Sequence, residues 1–275
     1  MEINDYARHI LLSSNLDEKL EPLKPNFKFK ESKGFDHPDF PNRSEKIKPS
    51  TKKVKFPKSQ SLHLENKKAL AFHFFANHEL LAFEIMAASL LIFPTKTMAD
   101  HKFKLAIINT IEDEKKHFSL YRSRMNEFGV DFGDFPINDF FWRQLEKINT
   151  PTQYFSFISL TIEAANLDFA KFYAKVFAEL EDIKSAKILE LVYKEEIQHV
   201  ALGVNFLEKS RGDESLWDYY RNNLPDLITP ARAKGMNFDF DGRTKAGLND
   251  DFIQKIFEYR DDFKVTDRKT WKNNS

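Results

Sequence analysis

The 275-residue chain is expected to be all-α, an antiparallel four-helix bundle with one long crossover. Three observations lead there. Four long stretches carry apolar residues at helical spacing; the first and third links between them are short and the second is long; and no stretch reads as a sheet. With 41% hydrophobic residues the chain can build a sizeable core, while 31% charged residues and a mean hydropathy of −0.53 describe a polar surface. Phenylalanine is abundant, 28 residues against 8 Tyr and 3 Trp, so large flat side chains should fill that core.

Residues 4–20 read as one short amphipathic helix marked by Ile10, Leu11 and Leu16. Residues 23–58 change character. Five prolines (25, 38, 41, 49 and 57) forbid a long helix there. Eleven Lys/Arg against four Asp/Glu give the segment a net charge of +7, with Phe27, Phe29, Phe35, Phe40 and Phe56 interleaved. The expectation is an extended arm on the helical body, phenylalanines in and lysines out. The competing reading is an RNA-contacting surface, since cations and aromatics suit phosphate contact and base stacking.

The first long helix runs from about 64 to 93 and stops at Pro94; the second spans about 98–127 and ends before Gly129. A crossing segment, 128–150, holds a short helix near Asp139–Lys147. Thr150 as N-cap and Pro151 at the first helical position start the third helix, which continues to about Leu180. The fourth covers about 183–209, before Gly212. The tail has a short helix after Asp213 and a last one near 249–262. The chain thus divides into a helix and Pro/Lys-rich arm (1–62), the bundle (63–210) and a C-terminal extension packed on it (211–275).

The first long helix carries an anomaly. Glu79 shares its face with Phe72, Phe75, Phe83, Met86 and Leu90, so an acid sits in a core-facing stripe. A buried carboxylate has to be protonated, paired or metal-bound. The second helix has Glu114-Lys-Lys-His117 and the fourth Glu196-Ile-Gln-His199, and a spacing of three puts each pair on one face. The neighbours on those faces are apolar: Ile107, Ile111 and Phe118 in one, Leu189, Val192 and Val200 in the other. One such pair is a weak signal; two, on the second and fourth helices, are a strong one. The third helix offers Glu163, beside Leu160, Leu167 and Ala170, whereas Asp168 falls with Thr161, Lys171 and Lys175 on a solvated stripe.

The two halves also repeat. Glu79 and Glu84 parallel Glu163 and Asp168 at the same five-residue gap, and the following Glu-x-x-His lies 35 residues on in one half and 33 in the other. This register favours Glu79 as the acid of the first helix and leaves Glu84 as runner-up ligand, placed with His73 and His78 in helix packing or an outer network. Four carboxylates and two neutral imidazoles carry −4, which two divalent ions balance. Oxygen and nitrogen donors without thiolate suit iron first, then manganese or a mixed Fe/Mn pair, with zinc also compatible. The alternative is a bundle whose buried acids and histidines pair with one another and bind nothing.

A Glu from each of two helices with Glu-x-x-His from each of the other two is a dinuclear carboxylate pattern, and over about 64–209 the sequence resembles the ferritin-like di-iron superfamily. HFFANHELLAFE, FGDFPINDFFW, SLTIEAANLDFA and EEIQHV, with ARAKG and AGLNDDFI in the tail, are similar more narrowly to an uncharacterised bacterial ferritin-like family, a domain of unknown function. The resemblance implies that Asp113 and Glu195 accept the free ring N–H of a ligand histidine on the opposing helix; the other reading is solvated helix surface. It also likens Tyr121, four residues after His117, to the radical tyrosine of ribonucleotide reductase small subunits, against a plain core tyrosine.

The expected function is a dinuclear iron or Fe/Mn oxidoreductase that activates dioxygen to oxidise or hydroxylate an unidentified substrate, with a tRNA-hydroxylase-like enzyme as one version and an electron-donor protein as partner. Iron handling by a ferroxidase or storage protein is the alternative, and a non-catalytic metal-binding protein a third. The chain has no cysteine, which excludes disulfides, thiolate metal sites and cysteine nucleophiles and fits a reducing compartment. The most apolar stretch is interrupted by His73, His78, Glu79 and Glu84 and the start lacks a signal-peptide pattern, so a cytoplasmic location without a membrane role is expected.

Overall fold

The computed structural model describes residues 1–22, 27–226 and 228–261. Pro25 of the basic arm and the end of the C-terminal extension (262–275) lie outside the described residues. Among those described there are ten α-helices, and the only β pairing is two isolated bridges, Ser32 with Thr95 and Pro49 with Ile137. Both bridges tie the arm to the body, one at the first short loop and one at the crossing segment.

Four long helical stretches form the core as two packed antiparallel pairs: α3 (Glu65–Ile92) with α4 (Met98–Asn126), and α6 (Ala164–Glu179) with α7 (Ile183–Ser210). Their ends follow from local chemistry. Thr97 and Asp100 form a reciprocal capping box at the start of α4, and Thr150 with Gln153 does the same for α5 (Pro151–Phe157), with Pro151 in the first turn. Asp182 caps α7 through the Ser185 amide while its carboxylate takes Lys68 (2.7 Å) from the start of α3 and Arg124 (2.8 Å) from the end of α4. By length and composition α3 could cross a bilayer, yet 83% of its most apolar window is buried inside the fold.

Three departures from the sequence reading have physical causes. Residues 4–20 form two helices, α1 (Ile3–Leu12) and α2 (Leu16–Leu20). The Ser-Ser-Asn between them competes for the backbone: Asn15 accepts from the Asp17 amide at 2.9 Å and the Ser13 hydroxyl from the Asn15 amide at 3.1 Å. The third long helix is not continuous either. Ile158–Glu163 is a π-helical turn between α5 and α6, with Thr161 donating to the Ser156 carbonyl five residues back. In the arm, the described lysines do face outward, but Phe29, Phe35 and Phe40 remain 38–45% exposed, and only Phe27 and Phe56 are partly covered by the core. Arg8 lies over Phe35, and Phe40 packs against the buried Arg43 and Trp142.

The C-terminal extension adds α8 (Leu216–Asn222), α9 (Phe240–Lys245) and α10 (Asp250–Glu258). Here Asp168, expected on a solvated stripe, is 1% exposed. Arg243 of α9 grips it with two hydrogen bonds (2.6 and 3.0 Å), and the Gly235 and Asp239 amides each donate to it at 2.7 Å. Helical periodicity identified the face of Asp168 but not the segment that covers it. Gly203 permits a comparable close approach elsewhere: a Cβ there would stand 2.4 Å from Cβ of Ser159, so α7 can lie against the π turn only without a side chain at that position.

Candidate metal centre

Glu79 on α3, Glu114 and His117 on α4, Glu163 at the end of the π turn, and Glu196 and His199 on α7 meet in the bundle interior, each 4% exposed or less. They form two overlapping groups. Glu79, Glu114, His117 and Glu196 present one donor atom each within 4.8 Å of one another, and so do Glu114, Glu163, Glu196 and His199. Glu114 and Glu196 belong to both. One further Glu and one His complete each group, so the arrangement is pseudo-twofold and shaped for two cations side by side.

The two imidazoles are oriented from outside. Nε2 of His117 lies 2.7 Å from a Glu195 oxygen, and Nε2 of His199 lies 3.4 Å from Asp113. A carboxylate only accepts, so each Nε2 carries the hydrogen and donates it. Nδ1 of each ring therefore faces inward, 2.9 Å from Glu114 for His117 and 3.1 Å from Glu114 for His199. The partners cross over: an α7 acid holds the α4 histidine, and an α4 acid holds the α7 histidine. Lys116 bridges both acids at the rim, at 2.7 Å from Glu195 and 3.1 Å from Asp113.

The electrostatics match that geometry. Burial, then the charges of Glu114 and Glu196, push the Glu79 carboxyl well above the usual carboxylate range; burial, then Glu196 and Glu114, do the same to Glu163. Burial also works to raise Glu114, but His199 and His117 outweigh it and hold that carboxyl well below its ordinary value. For His117, burial is outweighed by Glu114 and Glu195, which lift the ring to about 9. One oxygen of Glu79 and both of Glu163 are buried without a hydrogen-bond partner. Inward Nδ1 atoms and partnerless carboxylate oxygens, in a donor set made only of oxygen and nitrogen, could hold metal cations.

The other candidates fall elsewhere. Glu84 stands outside both groups, in a fully buried ion triad with Lys19 (2.9 Å) and Arg43. His73 stacks on Phe132 and accepts from the Gly133 amide at 3.1 Å, packing the crossing segment onto α3. Tyr121 is buried against Phe72 and Phe75, with burial and then the charge of Glu79 keeping its hydroxyl protonated.

Two features were missed in sequence. Asn166 donates to Glu196 at 2.5 Å; its signal was present, three residues after Glu163 on the same face. An aromatic cavity of about 470 Å³ lies between α3 and α6, with His78, Glu79 and Asn166 in its lining and Arg232 of the C-terminal extension beside them. It reaches the cluster from the side of Glu79. Arg232 had no signal, because only the folded tail brings it there.

The family described as "Protein of unknown function (DUF455)" matches residues 4–254, and the chain belongs to it. An uncharacterized protein of Haemophilus influenzae is 23% identical over 158 residues, 55% of this chain and 53% of that protein. The chain thus spans about half the length of the curated relative it matches. No solved structure matches it.

Proposed function

We propose that this member of a family without assigned function is a dinuclear metal oxidoreductase of ferritin-like type, which uses dioxygen to oxidise or hydroxylate an organic substrate. The observation that carries the reading is the convergence of four buried carboxylates and two inward-facing imidazoles in two groups sharing Glu114 and Glu196. Iron is the metal that best fits the donor set and the reaction, with manganese or an Fe/Mn pair as variants.

In this reading Glu79, Glu114, His117 and Glu196 would hold one ion and Glu114, Glu163, Glu196 and His199 the other. When bound, two reduced ions supply the redox chemistry with dioxygen. For hydroxylation the balance is one C–H bond, one O₂, two electrons and two protons, giving one C–OH and one water; the electrons come from a separate donor protein. The chain's own residues do the rest. Glu195 and Asp113 fix the imidazole tautomers and increase their basicity. The apolar neighbours Phe83, Ile111 and Phe118 exclude water. An aromatic cavity that touches Glu79 supports an organic substrate over iron storage, which needs no such chamber.

Metal analysis of the purified protein tests this directly. The expected content is about two iron or manganese ions per chain, lost in Glu114→Ala and Glu196→Ala while the helical circular dichroism remains. Unchanged metal content in both variants would reject the site.

A further inference from the structure

We propose that the cavity between α3 and α6 binds a planar aromatic carboxylate of one or two rings, its ring between the phenylalanine walls and its carboxylate on Arg232. As the substrate class of the candidate metal centre, this rests on the oxidoreductase reading; as a binding site, it rests on the cavity alone. At about 470 Å³ the cavity is some three times the ~150 Å³ that holds a benzene, so a two-ring compound fits and a polymer does not. Its walls are flat: Phe74, Phe75, Phe140, Phe141, Phe169 and Tyr173. Such walls favour stacked and edge-on rings over branched aliphatic chains.

The polar groups are few and differ between the ends. At the inner end, Nε2 of His78 is buried with no hydrogen-bond partner, so a ligand hydroxyl would find its match there. At the outer end, Arg232 is exposed, lies over the Phe140 ring at 5.2 Å and has no carboxylate partner among the described residues. The tail's other basic groups near it are engaged: Lys234 donates to three carbonyls, of Ile256, Phe257 and Tyr259, and Arg243 holds Asp168. One unpaired guanidinium, with its planar fork, matches one carboxylate; a phosphate usually gathers more donors. The ligand's anionic end is thereby kept at the mouth and its ring edge directed to Glu79.

Titration calorimetry on the protein as purified, and again after chelation, tests the inference with 2-naphthoate, neutral 2-naphthylmethanol and non-planar cyclohexanecarboxylate as probes. Saturable one-to-one binding of 2-naphthoate is expected, tighter than either comparison compound. Arg232→Ala should weaken 2-naphthoate by about ten-fold or more, the worth of a charge-assisted hydrogen bond, leaving 2-naphthylmethanol unchanged; Arg232→Lys should recover part of the loss. Ala165→Phe, which fills the cavity, should remove binding of both. Arg232 is exposed, so its variants keep the inference testable if Ala165→Phe fails to fold. No saturable binding of 2-naphthoate, or binding undiminished in Arg232→Ala, would overturn it. Metal content of the same samples separates the two readings. Bound metals without naphthoate binding reject this inference alone; naphthoate binding without metals rejects only the oxidoreductase reading.

Discussion

The two helical hairpins make matching contributions to the centre and are otherwise built differently. Each gives a single Glu and a Glu-x-x-His, and each lends an acid that holds the other's histidine. Five residues beyond the single Glu, each also carries a buried acid clamped by a cation from a flank: Glu84 by Lys19 and Arg43 of the N-terminal segment, Asp168 by Arg243 of the C-terminal one. Around that shared plan the packing diverges. Where the first hairpin has Phe72, Phe75 and Tyr121, the second has, in sequence register, Ser156, Ser159 and Gly203. The aromatic set fills its end of the bundle with rings; the small set lets α7 lie against a π turn. The donor positions are thus repeated while the packing that supports them is not.

The largest effects expected from testing this comparison are at the clamps. Removing one partner of a fully buried ion pair typically costs about 3–5 kcal/mol. Asp168→Ala, which strands Arg243, should lose that much in urea unfolding, and Glu84→Ala, which strands both Lys19 and Arg43, should lose more. Neither should alter metal content at temperatures where the variant stays folded. A Glu84→Ala protein of full stability that lacked metal would place Glu84 in the centre and break the correspondence.

Next come the crossed acids. Losing an outer acceptor of a ligand histidine weakens metal affinity by roughly 10–100-fold. Glu195→Gln should fall toward the upper end and Asp113→Asn toward the lower, because the first contact is 2.7 Å and the second 3.4 Å. Competition against a chelator measures both. Equal losses would make the halves equivalent at this level, and no loss in either would leave these acids idle.

The smallest effect is a pH dependence confined to one hairpin. Burial holds His73 down at about 4, against an ordinary 6.5. The unfolded chain therefore takes up the proton first as pH falls. The stability tied to the neutral ring is complete above pH 6.5 and is lost as pH falls through about 4. Protonation ends its acceptance of the Gly133 amide. The register-equivalent residue, Phe157, packs on Phe141 and does not titrate. Hydrogen exchange between pH 6.5 and 4, corrected for intrinsic rates, should show Gly133 losing protection ahead of the Trp142 region; simultaneous loss would remove His73 as the cause.

The four long helices and the meeting of the six candidate donors were legible because they rest on local rules: caps, period and a repeated spacing. What was not legible lay beyond a helical wheel. The π turn has no sequence mark, since Ile-Ser-Leu-Thr-Ile-Glu reads as ordinary helix, and α7 packs on it closely through Gly203. Asp168 looked solvated because its cover comes from residue 243, and Glu84 looked like a spare donor because its cations come from residues 19 and 43. The arm's exposed rings were misjudged for a related reason. Phe35 and Phe40 each lie against an arginine, Arg8 and Arg43, and sequence alone does not show which segment runs beside which.

The clamps also bear on how far this chain can be trimmed. A fragment cut to its four long helices and the π turn would keep all six donors and would look complete on paper. It would also carry two carboxylates, Glu84 and Asp168, stripped of the cations that the flanks supply. A fragment that keeps both clamps extends at least from Lys19 to Arg243, and swapping either flank for an unrelated sequence removes the cation of the matching acid.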